Sequence, residues 1–188
     1  LNEVVRRHES LRTTFQAVGG KPFQVLHPEM NIPLQKIDLR SIAESDHEAE
    51  VLRIARQDAQ QPFDLTTGPL LRVTLLQLAP EEFVVLYTMH HIISDDWSSN
   101  VLMQEITICY DAFSQGRPSP LTALPIQYAD FACWQQQWLQ GEVLEAQLNY
   151  WKKQLADCPQ LLELPTDRPR PPTQTFNGAY QTFEFSES

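Results

Sequence analysis

The sequence predicts a layered α/β domain, in which a mixed β-sheet is packed by helices. Two apolar runs, residues 70–78 and 83–89, are separated by Ala-Pro-Glu-Glu and predict a β-hairpin. Segments with apolar residues at helical spacing lie on both sides of this hairpin. The chain has 188 residues, of which 42% are hydrophobic, so it can bury the core of one ordinary domain.

The N-terminal part predicts a helix followed by short strands. The helix runs to about residue 8, and residues 11–18 read as a strand. Gly-Gly-Lys-Pro at 19–22 is a turn signal, so residues 23–26 form the returning strand. Residues 34–39 alternate in polarity and predict a further strand.

A helix should follow, because Ser41 with Glu44 and Ser45 with Glu48 are two possible capping boxes. It should stop before Pro62. The next two strands form the hairpin, and the second of them, 83–89, is apolar on both faces. Such a strand is expected in the middle of a sheet.

Helical spacing of apolar residues then predicts three helices, which begin near residues 97, 128 and 144. Four prolines in residues 165–172 predict an extended segment without helix. Residues 178–185 alternate and predict a final strand.

Composition excludes several classes of function. A net charge of −10 argues against binding to nucleic acid or to an anionic membrane. The three cysteines suit neither a disulfide framework nor a zinc site, and they favour a reducing, cytoplasmic location. No run is long and apolar enough to span a bilayer. The chain starts as if within a helix, which we interpret as a piece of a longer polypeptide.

The residues that indicate chemistry are His90 and His91, at the end of the apolar strand, with Asp95 four residues further on. Imidazole titrates near neutral pH. Successive side chains of a strand point to opposite faces, so one imidazole should face a cavity while the other packs inward. A buried Asp95 would need a cationic partner. Adjacent histidines chelate poorly, so we expect no metal site, although a metal-dependent hydrolase is an alternative.

Five segments of the chain form an ordered series of motifs: RHESLRTTF at 7–15, PFDLTTGPLLR at 62–72, MHHIISDDWS at 89–98, YADFACWQ at 128–135 and LELPTDRPRP at 162–171. Together they resemble the condensation domains of nonribosomal peptide synthetases. The similarity is spread over the whole chain, and the motifs occur in the family's order. The first is similar to RHExLRTxF, the second to PFDLxxGPLLR, the third to HHxxxDG, the fourth to YxDYAxWQ and the fifth to LELPTDRPRP.

The resemblance implies a fold like that of chloramphenicol acetyltransferase. A full condensation domain has two such lobes with a tunnel between them. Residues 1–188 would be the N-terminal lobe without its first strand, and the C-terminal lobe would be absent. We therefore expect this piece alone to be inactive.

The resemblance also implies an activity. Condensation domains form an amide bond between an acyl or peptidyl thioester and an aminoacyl thioester. Both substrates ride on the 4′-phosphopantetheine of upstream and downstream peptidyl carrier proteins, and the domain has no cofactor of its own. An adenylation domain would belong to the same polypeptide. Alternatives are an ester-forming, cyclising or epimerising variant, and a non-catalytic lobe that docks carrier proteins.

The family's motif assigns the active-site role to His91, with His90 beside it. Asp95 is expected to be structural and to form an ion pair with an arginine of the first motif, Arg12. Asp96 and Trp97, the next two residues, are also expected to support the active site structurally. Strong base catalysis is not essential, because an α-amino group has a pKa near 8 and a thioester is reactive. His91 could therefore position the amine or assist proton transfer.

Asp96 departs from the motif, which has glycine at this place. Glycine would serve a tight strand-to-helix turn. Asp tolerates the left-handed region and is a good helix N-cap, so the turn could survive. A second hypothesis is that the Asp96 carboxylate lies near His91 and favours its protonated form.

Overall fold

The structure is a computed structural model that describes residues 1–161, 163–175, 178 and 181–185. It divides into two compact units, Leu1–Gln140 and Gly141–Ser188. In its described residues the second unit contains one helix, α5 (Gly141–Gln154). The first unit contains, in chain order, α1 (Asn2–Arg7), a 3₁₀ turn (Glu9–Arg12), β1 (Thr13–Val18), β2 (Lys21–Leu26), β3 (Leu34–Asp38), α2 (Glu44–Ala59), β4 (Leu71–Ala79), β5 (Glu82–Met89), α3 (Asp96–Ser114) and α4 (Tyr128–Trp138).

The strands of the first unit form two sheets. β1 and β2 form an antiparallel hairpin, as the turn signal predicts. β3 pairs in parallel with β4, and β4 pairs antiparallel with β5. The three-stranded sheet is therefore mixed, which confirms the predicted α/β class and the predicted hairpin.

β4 is the central strand, and its side chains alternate between two apolar clusters. Leu71 and Val73 pack with residues of α1 and α3, among them Val4 and Leu102. Leu76 packs on the opposite side with Ile54 of α2 and with Leu39. Helices thus cover the sheet from both sides, which is the layered arrangement that the sequence predicts.

The prediction that the strand before the histidines lies in the middle of the sheet is wrong. Among the residues that the structure describes, β5 is the edge of the three-stranded sheet and β4 is flanked on both sides. Phe83 and Val85 of β5 are about half exposed, at 47% and 48%. Apolar side chains on both faces of a strand therefore do not by themselves identify the central strand, because the pattern does not show which neighbours pair with it.

Several element boundaries differ from the predictions for local reasons. The first strand begins at Thr13, since Glu9–Arg12 form a 3₁₀ turn. Neither predicted capping box forms, because the N-cap of α2 is Ala43 and no side chain caps it. Residues 165–172 contain no helix, as predicted. In the predicted strand 178–185, residues 179 and 180 lie outside the described part, and the others form no strand.

The loop before β4 brings the second motif onto β1. Gly68 has φ +61°, and a Cβ there would lie 3.1 Å from Thr14 Cγ2. A side chain would be both strained and crowded at this position.

In the described ranges, no helix combines the length and the apolarity needed to cross a bilayer.

Candidate active site

The histidine pair lies in the turn that joins β5 to α3. β5 ends at Met89, so the extended geometry does not continue through the pair. The backbone N–H of His90 donates to Leu70 O at 3.0 Å and keeps that residue beside β4. His90 is half-buried and His91 is exposed. The two imidazoles thus have different surroundings, although a turn rather than strand alternation separates them.

His90 organises this turn. Its Nδ1 accepts a hydrogen bond from the N–H of Ile92 at 3.0 Å, and its carbonyl oxygen accepts from the N–H of Ile93 at 3.1 Å. The hydroxyl of Ser94 donates to the same carbonyl at 3.3 Å. Because Nδ1 accepts, a neutral His90 carries its proton on Nε2.

His91 has the opposite tautomer. Its Nδ1 lies 2.5 Å from the carbonyl oxygen of Ser94. A carbonyl oxygen can only accept, so Nδ1 must carry the proton. The lone pair of a neutral His91 is therefore on Nε2, and no residue in the described part of the chain hydrogen-bonds this atom. A nitrogen in this state can accept a proton from a substrate.

A cavity of about 350 Å³ lies against this turn. Its walls include His91 and Asp95 on one side, and on the other side the 3₁₀ turn, β1 and the start of α4, represented by Glu9, Thr13 and Tyr128. The volume is at the lower end of the range for small-molecule sites, about 300–1,000 Å³. Of the two histidines only His91 lines it.

Asp95 is the N-cap of α3. One carboxylate oxygen, Oδ1, accepts from the backbone N–H of Ser98 at 2.8 Å and from its hydroxyl at 2.6 Å. These bonds, the hydroxyl bond first, lower the pKa of Asp95 below its usual value, and the nearby charge of His91 lowers it further. Asp95 is exposed. It is therefore not a buried carboxylate and does not require a cationic partner.

The predicted ion pair between Arg12 and Asp95 is wrong. Arg12 instead lies 3.4 Å from the carboxylate of Glu9 and donates to the carbonyl oxygen of His27. The physical reason is that Ser98 satisfies Asp95 locally, whereas Arg12 is at the end of the 3₁₀ turn, one helical turn after Glu9. Buried Arg12 Nε has no hydrogen-bond partner within the described residues.

Asp96 and Trp97 start α3 and point to solvent. Asp96 is the first helical residue, so this position requires no left-handed backbone, and the cap belongs to Asp95 instead. A carboxylate in the first turn is favourable toward the helix dipole. Trp97 is 79% exposed and borders a second cavity, of about 210 Å³, beside Met89 and Val101.

Sequence reasoning missed a buried ionic cluster next to the site. Arg7 Nη1 lies 2.6 Å from Glu105 Oε1, and His8 Nε2 lies 2.7 Å from Glu105 Oε2. Glu105 is only 8% exposed. The available signal was its position on α3, since it falls on the buried stripe of that helix between Leu102 and Cys109. A carboxylate on a buried stripe needs cationic partners.

In residues 1–161 and the shorter described ranges, no three side chains of His, Cys, Asp or Glu are grouped so that they could hold a metal ion. The cysteines Cys109, Cys133 and Cys158 are free, and the first is buried.

A turn that places an imidazole with an unpaired nitrogen on the wall of a cavity is suited to proton transfer during acyl transfer. The sequence matches the family model of the Condensation domain over residues 1–188. The chain therefore belongs to the condensation domain family of nonribosomal peptide synthetases.

Known relatives agree with this membership. A linear gramicidin synthase protein of Brevibacillus parabrevis is 51% identical over 185 residues, which cover 98% of this chain and 2% of that protein. A solved complex of the X-domain and OxyB from teicoplanin biosynthesis matches with TM-score 0.78 and 32% identity, covering 90% of this chain and 37% of that one. The epimerization domain from the third module of tyrocidine synthetase B matches in fold, with TM-score 0.76, 24% identity and coverage of 89% and 37%.

These matches confirm the chloramphenicol acetyltransferase-like fold. They also show that the chain spans a small part of the curated relative and just over a third of the solved domains.

Proposed function

We propose that this chain supplies the N-terminal lobe of a condensation domain that forms amide bonds between carrier-bound substrates. The observation that carries the proposal is that His91 lines the cavity, with its Nδ1–H bonded to Ser94 O and its Nε2 without a hydrogen-bond partner among the described residues. Membership of the family supports the reaction class. The C-terminal lobe, an adenylation domain and the carrier proteins belong to the proposed complete enzyme.

The reaction needs one nucleophile, one electrophile and one proton transfer. The amine nitrogen of the acceptor aminoacyl thioester attacks the carbonyl carbon of the donor thioester. The C–S bond then breaks, the sulfur leaves as a thiolate, and an amide forms. The proton released by the amine passes to His91 Nε2 and from there to the thiolate, which restores the neutral imidazole. Both substrates arrive on 4′-phosphopantetheine, which is cargo of the carriers.

The tautomer of His91 supports proton acceptance over a purely steric role. Since Nδ1 holds its proton against the Ser94 carbonyl, the basic nitrogen is the one that is free. Asp95 makes no hydrogen bond to the imidazole and instead caps α3. General acid–base help of this kind is worth about 10²–10⁴ in rate.

The proposed roles of the two histidines therefore differ. His91 touches substrate, whereas His90 holds the turn through its hydrogen bonds to Ile92 and Ile93. The free nitrogen of His91 also supports one second candidate, an epimerising activity at the same imidazole. Removal of a proton from a carbon atom of the substrate would use the same lone pair.

The test uses the complete synthetase that contains this chain, loaded with donor and acceptor on its carriers. We expect His91→Ala to lower amide formation by about 10²–10⁴ while circular dichroism stays unchanged. His47→Ala is the matched control, because His47 lies on α2 and bonds the carbonyl oxygens of Leu39 and Ile42, away from the cavity.

Retained turnover in His91→Ala would refute the proposed role of this residue. Chiral analysis of the product separates the two activities. An amide whose donor residue keeps its configuration supports condensation, and inversion without amide formation supports the epimerising candidate.

A further inference from the structure

The second sequence motif has no assigned role in the reaction, yet the structure brings it to the histidine turn. Phe63 and Arg72 are its second and last residues. The rings of Phe63 and His90 lie 6.0 Å apart at an interplanar angle of 82°, a T-shaped contact. The guanidinium carbon of Arg72 lies 3.8 Å from the centre of the Phe63 ring. Phe63 therefore contacts a cation and an imidazole at once.

Arg72 is held in place by α2 and the loop after it. Its Nε donates to Asp58 Oδ1 at 3.0 Å. Its Nη2 donates to the carbonyl oxygens of Asp58, at 2.8 Å, and Gln61, at 3.0 Å. Its Nη1 makes a longer bond to the carbonyl oxygen of Pro62, at 3.5 Å. The planar guanidinium is thus held by four acceptor atoms, and such charge-assisted bonds are the strong ones. Because these N–H bonds lie in the guanidinium plane, a face of the group remains available to the aromatic ring of Phe63.

The same carboxylate also holds β5. The hydroxyl of Thr88 donates to Asp58 Oδ2, and Thr88 is the register partner of Arg72 in the antiparallel pair. Asp58 therefore clamps two neighbouring strands at the point where β5 is about to end. Thr88 is two residues before His90, so the clamp fixes the start of the turn from the strand side.

We infer that Arg72 is a positioning residue, which orients His90 through Phe63 and thereby fixes the turn that places His91 on the wall of the cavity. The contacts form a continuous series from Asp58 to Arg72, Phe63 and His90. From His90 the hydrogen bonds to Ile92, Ile93 and Ser94 set the turn. The carbonyl oxygen of Ser94 then holds His91 Nδ1.

Burial supports this role for a charged residue. The side chains of Arg72 and Asp58 are 23% and 17% exposed, so this ion pair is largely screened from water. By contrast, Arg40 and Asp38 form a pair with side chains 49% and 54% exposed. The attraction between two charges is stronger when they are screened from water, so this pair holds the guanidinium in a fixed position. A positioning residue needs such a fixed position to orient its neighbours.

The first measurement is independent of activity and uses the 188-residue chain labelled with ¹⁵N at histidine. The ring nitrogen shifts report which nitrogen carries the proton. We expect a protonated Nε2 for neutral His90 and a protonated Nδ1 for neutral His91. In Arg72→Met and in Phe63→Leu both rings should lose this preference and show averaged tautomers. Phe63→Tyr, which keeps the aromatic ring, should keep the tautomer preference of both histidines.

Arg40→Met is the matched control, because it removes an ion-paired arginine that is exposed and lies outside the series of contacts. It should leave both tautomers unchanged. Should Arg72→Met fail to fold, Arg72→Lys and Phe63→Leu test the same contacts. The inference is overturned if folded Arg72 and Phe63 variants keep the tautomers of the parent chain.

The second measurement is turnover in the complete synthetase, and in this part the inference rests on the proposed function. A small displacement of a reacting group can cost about 10²-fold, so we expect kcat for amide formation to fall by about that factor in Arg72→Met. The KM for the loaded carriers should not change. If the tautomers change but turnover does not, the proposed role of His91 fails while the positioning by Arg72 stands.

Discussion

Two carboxylates of the same helix, Glu105 within α3 and Asp95 at its N-cap, are stabilised in different ways. Glu105 is buried, and its partners Arg7 and His8 lie on α1 and immediately after it. Asp95 is exposed, and its partner is Ser98, three residues further along the same helix start. Glu105 therefore connects distant parts of the chain, and Asp95 fixes one helix end.

The difference explains why the expected ion pair was placed on the wrong residue. The resemblance to the family predicts that Asp95 forms the ion pair with the first motif. The structure gives a bridge of that kind to Glu105, because burial decides which carboxylate must find a cation. An exposed carboxylate is satisfied by water and by the nearest donors.

The largest expected effect comes from removing the buried charge. Glu105→Gln leaves Arg7 without its counter-ion in a site where the arginine side chain is 13% exposed. Breaking a buried pair from one side costs about 3–5 kcal/mol, so we expect the free energy of unfolding to fall by about 3 kcal/mol. Urea denaturation of both chains measures this change.

Glu50→Gln is the control for this comparison, since Glu50 pairs with Arg53 at 2.7 Å on the surface of α2. An exposed pair of this type is worth about 0.3–0.5 kcal/mol, so this variant should be nearly as stable as the parent. Equal losses in the two variants would show that burial does not separate them.

A smaller effect is expected from the helix cap. Asp95→Ala removes the acceptor of the Ser98 N–H, and loss of an N-cap costs about 1 kcal/mol. Asp95→Asn keeps a capping oxygen, so it should cost much less than Asp95→Ala. Thermal unfolding followed by circular dichroism distinguishes the three chains. An Asp95→Asn variant as unstable as Asp95→Ala would argue against the cap.

The cap also predicts a dependence on pH. Because hydrogen bonds from Ser98 lower the pKa of Asp95 in the folded chain below 3.8, its charged form stabilises the fold above that pH. This contribution is lost as the pH falls through the lowered pKa of the folded state. The stability difference between the parent and Asp95→Asn should therefore change below about pH 4. A pH-independent difference would contradict this linkage.

The smallest effect is expected at Asp96, where the motif of the family has glycine. Asp96→Gly removes a favourable charge from the first turn of α3 and adds backbone freedom, so we expect a loss of about 0.5 kcal/mol. The same variant tests whether Asp96 favours protonated His91. NMR signals of the His91 ring followed against pH in both chains decide this, and identical curves refute the hypothesis.

Local sequence was sufficient where neighbouring residues decide the structure. The hairpin of β4 and β5 was predicted within one residue at each end, because a short polar link between apolar runs leaves few alternatives. The start of α3 beside the histidines was also predicted. The 3₁₀ turn before β1 and the uncapped start of α2 were not, since apolar spacing does not resolve turn type and a capping motif competes with packing.

By itself the sequence determined the α/β class, the order of helices and strands from α1 to α5 and the His90–His91 pair, because these depend on periodicity and motif within short windows. Only the tertiary structure decided which strand is central, which carboxylate is buried, and which nitrogen of His91 is free. Those properties depend on contacts between residues far apart in the chain, such as Arg7 with Glu105 and Phe63 with His90. Burial and hydrogen-bond partners are set by these contacts, and spacing in the sequence does not contain them.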